Sequence, residues 1–550
     1  MPWGVTSFDP IVSAMSCSVN SMRTYPPFLL PFCIVLFAIV VLLPLGLMLA
    51  GSLWFQGLTL SSYAALANPR YLKMALNSVL IAGGVTLASL VIGTSQAFLL
   101  ERIDGRWRRF FGVVYFLPLL IPPYIHAIVW TFCLGSTSAV NRCLAALFPD
   151  CVPRVNIYSI GGVIYILTIA YAPIVTLCVI SGFKSLDGRL EEAGLLTSTP
   201  WAVMRKISLP LLRPHILCGG LIVGVLTIVN FEVPDLMRTR VYATEIFIQF
   251  SAFYDARKAT ALSLPLIGLT FGALVIVQQM MQKKPYVVIT GDRRVARRLA
   301  PASGPWRLAY FLMGFWLGLS ILVPLGVLLA KSLPWQNFRT VLRTSTDEIL
   351  FSLILSGLSA LVLMAASCTW CYLMERSRRW SRFLDLLALL PFAVPGTVLG
   401  IGLILLWNRS WAQWLYGSSL ILLIAYLAHF IPFTIRIMAA NIKQIDIKLE
   451  EAAYLASSSW FTTVRKILLP LLRPGLFLSF FLGFVLCFGD LAAPLLVMPP
   501  GRETVPIKIY NLLHYGADQM VAALCLVIVL IIFIAAGMLY TVYDRYGKIK

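Results

Sequence analysis

The sequence predicts an all-α integral membrane protein with about 12 transmembrane helices in two parallel-repeated six-helix halves. Three observations give this fold class. Apolar residues make up 59% of the 550 residues and charged residues only 12%, with a mean hydropathy of +0.86. Apolar runs of about twenty residues recur along the chain, and each is long enough to cross ~30 Å of hydrocarbon. The second half of the chain also repeats motifs of the first half in the same order.

The composition excludes a soluble enzyme and a nucleic-acid-binding protein. A soluble domain carries roughly 25% charged residues. The net charge of +21 comes from Lys and Arg in short segments between apolar runs, a distribution that sets orientation in a membrane. We therefore expect no nucleic-acid partner. The phosphate-binding pattern G-x-x-x-x-G-K-[ST] and common catalytic motifs are absent from the sequence, so we expect no enzymatic activity and no cofactor bound by this chain.

The apolar runs define the predicted spans. In the first half they lie near 27–50, 75–100, 110–133, 158–182, 214–235 and 259–281. In the second half they lie near 307–330, 349–373, 384–407, 417–438, 474–495 and 519–541. Acidic residues and proline interrupt the fifth and eleventh runs.

Four segments follow from these spans. We expect a disordered leader over 1–26, with Met22 as an alternative start, a first transmembrane domain over 27–290, a cytoplasmic linker over 291–306 and a second transmembrane domain over 307–550. If both termini are cytoplasmic, 30 of the 44 Lys and Arg residues fall on the cytoplasmic side. Since positive charge is enriched there, the sequence predicts this topology.

The two halves are related by an internal repeat. PLGLMLAGSL (44–53) returns as PLGVLLAKSL (324–333), and residues 190–214 return as 449–474. Six spans separate the copies, so both copies of a motif lie on the same side of the membrane, as in parallel repeats about an axis along the membrane normal. Matched single positions pair Pro118 with Pro391, Pro122 with Pro395, Asn230 with Asp490 and Pro234 with Pro494. We expect the matched prolines to break the third and ninth spans.

The loops 183–213 and 443–473 are too polar to span the membrane and have the pattern of a helix-turn-helix. Asp187 and Asp446 are placed as N-caps, and acidic residues follow in the first turn. We expect proline at the end of each second helix, Pro210 and Pro470, to stop that helix at the membrane surface. We expect Glu101-Arg102 and Glu375-Arg376 to form solvated ends of the second and eighth spans, with an ion pair as an alternative.

This repeated loop resembles the coupling motif of binding-protein-dependent ABC importer permeases, E-A-A followed by I-x-L-P. The matching residues are Glu192, Ala193, Ile207, Leu209 and Pro210 in the first copy, and Glu451, Ala452, Ala453, Ile467, Leu469 and Pro470 in the second. The predicted coupling site also includes Glu191, Glu450 and Gly194, and Gly194 stands where the family has its second alanine. Ser198 and Ser457 stand where the family has glycine. The resemblance implies that each loop inserts into a cleft on an ATPase subunit. A contact with the ATPase is a further alternative for Glu101-Arg102 and Glu375-Arg376.

The resemblance also implies a type I ABC importer permease fold in the bacterial inner membrane. It implies two copies of an ATPase subunit that use Mg-ATP, an extracytoplasmic solute-binding protein and surrounding lipid as partners. The segment LPLLIPPYIHA (117–127) is similar to ferric-iron importer permeases, which implies ferric iron as cargo. Thiamine, polyamine and phosphonate permeases are related alternatives. A twelve-span secondary transporter would share the architecture but have no use for two coupling loops.

Candidate path residues are polar side chains near the ends of the fifth and eleventh spans, namely Asn230, Glu232, Asp235 and Asp490. Ionisable groups within spans are costly and indicate function, and a ferric ion is a hard cation that prefers oxygen ligands. The alternative is that they face lipid headgroups or contact the delivering protein. We expect His126 and His429 to be packing or hydrogen-bonding residues.

The cysteines carry no metal-site prediction. Cys368 and Cys371 form a C-x-x-C within an apolar span without a second pair. Cys143 and Cys151 share a loop predicted to lie outside, where a disulfide and two free thiols are both compatible with the sequence.

Overall fold

The structure is a computed structural model that describes residues 25–53, 61–102, 106–136, 138–147, 156–282, 304–377, 379–456 and 459–547. Within these ranges the chain is helical and contains no strand. Ten of the described helices are long and apolar enough to cross a membrane, and two bent helix pairs raise the number of spans to 12. The predicted all-α membrane class is therefore confirmed. Residues 1–24 of the predicted leader and 291–303 of the predicted linker lie outside the described residues.

The helices follow the same order in both halves. The first half contains α1 (Leu29–Leu53), α2 (Pro69–Arg102), α3 (Arg106–Val114), α4 (Pro123–Leu134), α5 (Ala139–Leu147), α6 (Ile160–Ser185), α7 (Gly188–Thr197), α8 (Pro200–Val229), α9 (Glu232–Leu236), α10 (Tyr242–Ser251) and α11 (Ala256–Gln282). The second half contains α12 (Tyr310–Ser332), α13 (Gln336–Thr344), α14 (Thr346–Arg376), α15 (Ser381–Leu389), α16 (Gly396–Trp407), α17 (Leu420–Ile442), α18 (Lys448–Leu455), α19 (Trp460–Gly489), α20 (Val505–His514) and α21 (Asp518–Gly547). We call the end of the bundle that carries α7 and α18 the basic end, and the opposite end the distal end.

The third and ninth spans are broken at the matched prolines, as predicted. The helix axes turn by 89° before α4 and by 100° before α16. Ile121 and Val394, which precede Pro122 and Pro395, have extended backbones with ψ of 118° and 124°. A residue before proline is driven out of the helical region by a clash with the proline ring. The breaks place the start of α4 and of α16 inside the bundle.

Four π-helical turns also occur in matched pairs. They cover Ala38–Leu42, Met204–Ser208, Gly318–Leu322 and Val464–Leu468, and each ends two residues before a proline. Proline within a helix removes one hydrogen bond and crowds the carbonyl four residues earlier. A π turn inserts one extra residue into the turn, so that the helix continues through the proline instead of stopping.

This continuity corrects two predictions. Pro210 and Pro470 do not end a helix, because the π turns carry α8 and α19 through them as uninterrupted helices of 30 residues each. The fifth and eleventh spans therefore begin at the basic end well before the predicted positions 214 and 474. They also end earlier than predicted, at Val229 and Gly489.

The first span of each half packs on the other half. The ring of Phe37 on α1 lies 4.7 Å from the ring of Trp370 on α14. In the opposite direction, Tyr310 on α12 stacks on Phe111 of the first half with ring centroids 6.4 Å apart. Gly402 on α16 lies directly against Pro44, since a Cβ at that glycine would be 3.0 Å from the proline Cβ. The two halves are therefore interlocked by exchange of their first spans.

At the distal end, matched serines hold a short helix of each half. Ser78 Oγ accepts a hydrogen bond of 2.9 Å from the backbone N–H of Tyr242 at the start of α10. Ser352 Oγ accepts the equivalent 2.9 Å bond from Val505 at the start of α20. The first N–H groups of a helix need partners outside that helix, so these serines fix α10 and α20 to α2 and α14.

Two ion pairs support the same attachment with reversed charge. In the first half Arg70 lies 3.2 Å from Glu245 of α10. In the second half Lys508 of α20 lies 2.7 Å from Glu348. The repeat has thus kept the contact while its acidic and basic partners have changed places.

Candidate coupling and translocation sites

We call the two copies of the predicted coupling loop the coupling units. The first consists of α7, the following turn and the first turns of α8, and the second consists of α18, the following turn and the first turns of α19. Asp187 Oδ1 accepts a hydrogen bond of 3.1 Å from Arg189 N at the start of α7, and Asp446 Oδ1 accepts one of 3.0 Å from Lys448 N at the start of α18. Asp187 is therefore the N-cap that the sequence predicts, whereas Asp446 lies one residue before the N-cap Ile447 and accepts its hydrogen bond from there. The second helices are capped by hydroxyl groups, because Thr199 Oγ1 and Ser459 Oγ accept from backbone N–H groups three residues later.

One glutamate of each unit is buried and anchors it to the membrane helices. Glu191 is buried, and Ser208 Oγ donates a hydrogen bond of 2.5 Å to it. Glu450 is 0% exposed and accepts hydrogen bonds from Arg376 Nε at 2.7 Å and from Tyr372 Oη at 2.9 Å. The sequence prediction of a solvated end at Arg376 is wrong, because its side chain is 7% exposed and forms this ion pair.

Of the remaining motif residues, some are exposed on the surface and others pack against the long helix of their coupling unit. Glu192, Glu451, Ala193 and Ala452 retain contact with solvent. Gly194 lies against α8, since a Cβ there would be 2.7 Å from Ile207 Cδ1, and the equivalent Ala453 is buried.

The two second helices have the same burial class at every position from 201 to 210 and from 461 to 470. Ile207 and Ile467 are half-buried, Leu209 and Leu469 are exposed, and Pro210 and Pro470 are half-buried. The structure therefore presents the same surface twice.

Serine is accommodated where the family motif has glycine. Ser198 ends α7 with φ of −145° and ψ of 159°, an extended backbone that any residue adopts. A positive φ, which would favour glycine, is not used at this turn. Ser457 lies outside the described residues.

The structure brings Glu232 and Asp490 to the contact between the two halves. Both are buried. The carboxyl group of Glu232, at the start of α9, lies against the backbone N–H groups of Leu491 and Ala492 in the opposite half. Asp490 caps the end of α19, and its carboxyl group lies against the backbone N–H groups of Ala492 and Ala493. The two predicted path carboxylates therefore share one short backbone segment.

Aromatic and imidazole groups surround this contact. His429 Nδ1 on α17 lies 4.0 Å from Asp490 Oδ1. Tyr124 on α4 is fully buried beside both carboxylates, and Tyr426 is fully buried beside Asp490. Among the described residues, Tyr124 Oη and one oxygen of Asp490 have no hydrogen-bond partner.

The other two path candidates lie elsewhere. Asn230 Oδ1 accepts a hydrogen bond of 3.1 Å from Val233 N and so caps α9. Its amide also donates to Tyr171 Oη at 3.5 Å. Asp235 accepts a hydrogen bond of 2.9 Å from Tyr510 Oη and lines a distal cavity of about 580 Å³. Only two of the four predicted residues therefore meet at one point.

The described residues contain no group of three or more His, Cys, Asp and Glu side chains placed to hold a metal ion. Glu232 and Asp490 thus line a contact between the halves and do not form a metal centre with their neighbours. The choice between a Cys143–Cys151 disulfide and two free thiols stays open, since Cys151 lies outside the described residues.

Sequence reasoning missed several residues of these sites. Nothing in the spacing of Tyr124 or Tyr426 distinguishes them from other membrane tyrosines. His429 was assigned a packing role, and its position beside Asp490 depends on how α17 packs against α19. For Arg376 the sequence left an ion pair open only as an alternative, because no spacing shows that Glu450 is its partner or that the pair is buried.

Comparison with known proteins agrees with this arrangement. The family model described as "Binding-protein-dependent transport system inner membrane component" matches residues 361–546. The chain is 26% identical to the Fe(3+)-transport system permease protein FbpB 2 of Haemophilus influenzae, over 93% of this chain and 97% of the relative. It is 24% identical to the ferric transport system permease protein FbpB of Actinobacillus pleuropneumoniae, over 80% of this chain and 66% of the relative. A putative 2-aminoethylphosphonate transport system permease protein PhnV of Salmonella typhimurium is 26% identical over 41% of this chain and 90% of its own length.

The fold, the repeated coupling units and these similarities define the chain as a transport permease, which is not an enzyme. The match to the binding-protein-dependent family model lies within the second half of the chain, and the chain is similar over nearly its whole length to a permease named for Fe(3+) transport. The resemblance identified from the repeated motif is confirmed.

The buried ion pair of the second coupling unit gives a first prediction. Glu450→Ala leaves Arg376 buried without its partner, which costs about 3–5 kcal/mol. We expect a lower midpoint of thermal unfolding for the purified chain in detergent. Glu451→Ala is the matched control, because the neighbouring glutamate is half-exposed and its loss should leave the midpoint unchanged. Equal midpoints for the two variants would show that Glu450 does not anchor α18.

Proposed function

We propose that this chain is the membrane permease of an ATP-driven importer, in which the two coupling units each dock on one of two ATPase subunits. The observation that carries the proposal is that each coupling unit is continuous with a long helix, and that this helix ends at the contact between the halves. α8 and α19 begin in the coupling units and end next to Asn230 and at Asp490. At 30 residues each, they extend about 45 Å.

Exposed apolar side chains on the coupling units support docking. Leu196 and Leu455 occupy equivalent positions and are 87% and 78% exposed. Trp201 and Phe461 are also equivalent and are 68% and 66% exposed. These side chains lie beyond the bundle at its basic end, and aromatic residues of this kind are enriched at the centres of protein interfaces. Two equal surfaces fit two copies of the same subunit.

The basic end is assigned to the cytoplasm. It carries both coupling units and the larger share of Lys and Arg, as the positive-inside rule requires. This assignment places both termini in the cytoplasm and the distal end toward an extracytoplasmic binding protein. The partner ATPases would bind and hydrolyse Mg-ATP, since the sequence of this chain has no phosphate-binding loop.

The geometry supports a lever mechanism. When two ATPase subunits close on ATP, the docked coupling units are carried toward one another. Because α8 and α19 are continuous helices, the movement reaches their distal ends. There it separates Glu232 from the backbone of Leu491 and Ala492 and opens the contact between the halves. Cargo released by the binding protein then passes between carboxylate and tyrosine side chains.

The cargo that this path fits best is ferric iron. Carboxylate and phenol oxygens are ligands for hard cations, and Glu232, Asp490 and Tyr124 meet at the contact. The full-length similarity to a permease named for Fe(3+) transport supports the same cargo. A phosphonate is the second candidate, favoured by the cations that line the distal cavity and by the similarity to a phosphonate permease.

Docking is tested by capture of the ATPase subunit. Trp201→Ala with Phe461→Ala removes the exposed aromatic group of both units, and we expect at least a tenfold loss of ATPase subunit recovered with the tagged chain from membranes. Glu192→Lys with Glu451→Lys should abolish transport while leaving membrane insertion intact.

The control for the aromatic pair is Trp411→Ala with Trp414→Ala. These tryptophans are 62% and 69% exposed at the distal end, so ATPase recovery should stay at the wild-type level. If wild-type chain recovers no ATPase subunit, the chain is not an ABC permease and the secondary-transporter alternative stands.

The cargo is tested by uptake in cells with and without the gene. Radiolabelled ferric iron, 2-aminoethylphosphonate and thiamine are compared, each after starvation for that nutrient. We expect loss of iron uptake alone, restored by the wild-type gene. Loss of phosphonate uptake alone would establish the second candidate, and loss of thiamine uptake alone would contradict both.

A further inference from the structure

The distal cavity is lined by cations that have no carboxylate partner. Its volume is about 580 Å³, within the range of about 300–1,000 Å³ typical of small-ligand sites. Arg142, Arg238 and Lys331 line it, and none of them forms an ion pair within the part of the chain that the structure describes. The lining acids are Asp235, which is bound to Tyr510, and Asp518.

Two of these cations are held against the cavity wall by aromatic rings. The guanidinium of Arg238 lies 5.4 Å from the ring centre of Tyr158, and Lys331 Nζ lies 5.2 Å from that of Phe132. A cation over an aromatic face is attracted to the ring without using its hydrogen-bond donors. The N–H groups of both cations therefore stay available to a ligand that accepts hydrogen bonds.

The backbone at Arg238 is also unusual. Its φ is +51°, a left-handed conformation that is strained for a residue other than glycine. This turn ends α9, four residues after Pro234, and directs the chain along the cavity. Strained residues of this type cluster at ligand sites.

The internal repeat shows that the cavity belongs to one half only. Four of the polar lining groups, two cations of the cavity wall and the Asp235–Tyr510 pair, have equivalent positions in the other half that hold apolar or small residues. The pairs are Lys331 with Gly51, Arg238 with Met498, Asp235 with Leu495 and Tyr510 with Phe247. Leu495, Met498 and Phe247 pack against the apolar core. The fold therefore does not require charge at these positions, and the cavity is a feature added to it.

The cavity lies next to the contact between the halves. α4 carries Tyr124 at that contact and carries Ile128 and Thr131 on the cavity wall. At 1.5 Å per residue the cavity begins about 6–10 Å from Tyr124 along the helix. α9 likewise has Glu232 at the contact and Asp235 in the cavity. A ligand in this cavity stands directly before the path.

We propose that the distal cavity is an oxyanion site, which receives a phosphate or carboxylate group before passage. Resting on the proposed function, the inference is that the cargo enters with oxyanion ligands, because the lining carries three cations against two carboxylates and its net positive charge repels an uncomplexed ferric ion. A free oxyanion and an oxyanion bound to ferric iron share the chemistry that Arg238 and Lys331 recognise. Charge-assisted hydrogen bonds to such groups are the strong ones.

The test measures binding to the purified full-length chain in lipid nanodiscs, without ATPase or transport. The probes are radiolabelled inorganic phosphate, citrate and iron-loaded citrate. We expect saturable binding that weakens at least tenfold in Lys331→Gly with Arg238→Met, which installs the residues of the other half. Lys331→Arg should retain binding, and Arg339→Met, which removes an exposed cation of α13 outside the cavity, should leave it unchanged.

Each outcome decides the proposal. Binding of phosphate or citrate alone supports it with a free oxyanion, and binding of iron-loaded citrate only supports it with the metal complex as source. No saturable binding of any probe, or an affinity of the double variant within twofold of wild type, overturns it. The double variant could also bind oxyanions normally and fail to capture the binding protein. That result would assign the cations to protein docking and overturn the proposal of an oxyanion site. Normal ATPase capture alongside a negative result leaves the permease function standing.

Discussion

The contact of two buried carboxylates with one backbone segment constrains the rest of the structure. An ionised carboxylate removed from water costs several kcal/mol unless hydrogen-bond donors replace the water. Glu232 finds such donors across the halves at Leu491 and Ala492, and Asp490 finds its own just after the end of α19. α8 and α19 must therefore both end at the level of this contact, and the two halves must keep the alignment that brings Glu232 to Leu491 and Ala492. The packing of α1 on the second half and of α12 on the first half stabilises this alignment. Water can replace these contacts, so the same point can seal the path and open it.

The symmetric and asymmetric parts of the molecule fit different partners of the proposed function. The coupling units, the π turns and the distal serine contacts occur in matched pairs, as expected if two equal ATPase subunits act on them. The distal cavity has no counterpart in the other half, as expected if one cargo molecule enters at a time. A duplicated chain with both halves fused allows one half to change without the other. Lys331, whose equivalent in the first half is Gly51, is an example of such a change in one half only.

The fold class, the span count and the helix-turn-helix shape of the repeated loops could be predicted from the sequence because they depend on local pattern. Hydropathy sets the spans, and a repeated motif needs no tertiary information. The sequence was misleading at Pro210, since a π turn that rescues a helix at proline has no clear signature. It was misleading at Arg376, because burial of a helix end depends on a loop far along the chain. Glu232 was found as a costly acid within a span, but its partners in the other half were not.

The central claim is that the contact between the halves must open for transport. A Cβ built on Gly489 lies 3.6 Å from the Cβ of Pro122, within the range of about 3.5–4.5 Å found in disulfides. Pro122→Cys with Gly489→Cys, in a background without the 11 native cysteines, should therefore cross-link the halves on oxidation. We predict that the oxidised protein retains its ATPase subunits but loses uptake, that reduction restores uptake, and that each single variant is insensitive to oxidant. Undiminished uptake by the fully cross-linked protein would contradict the account.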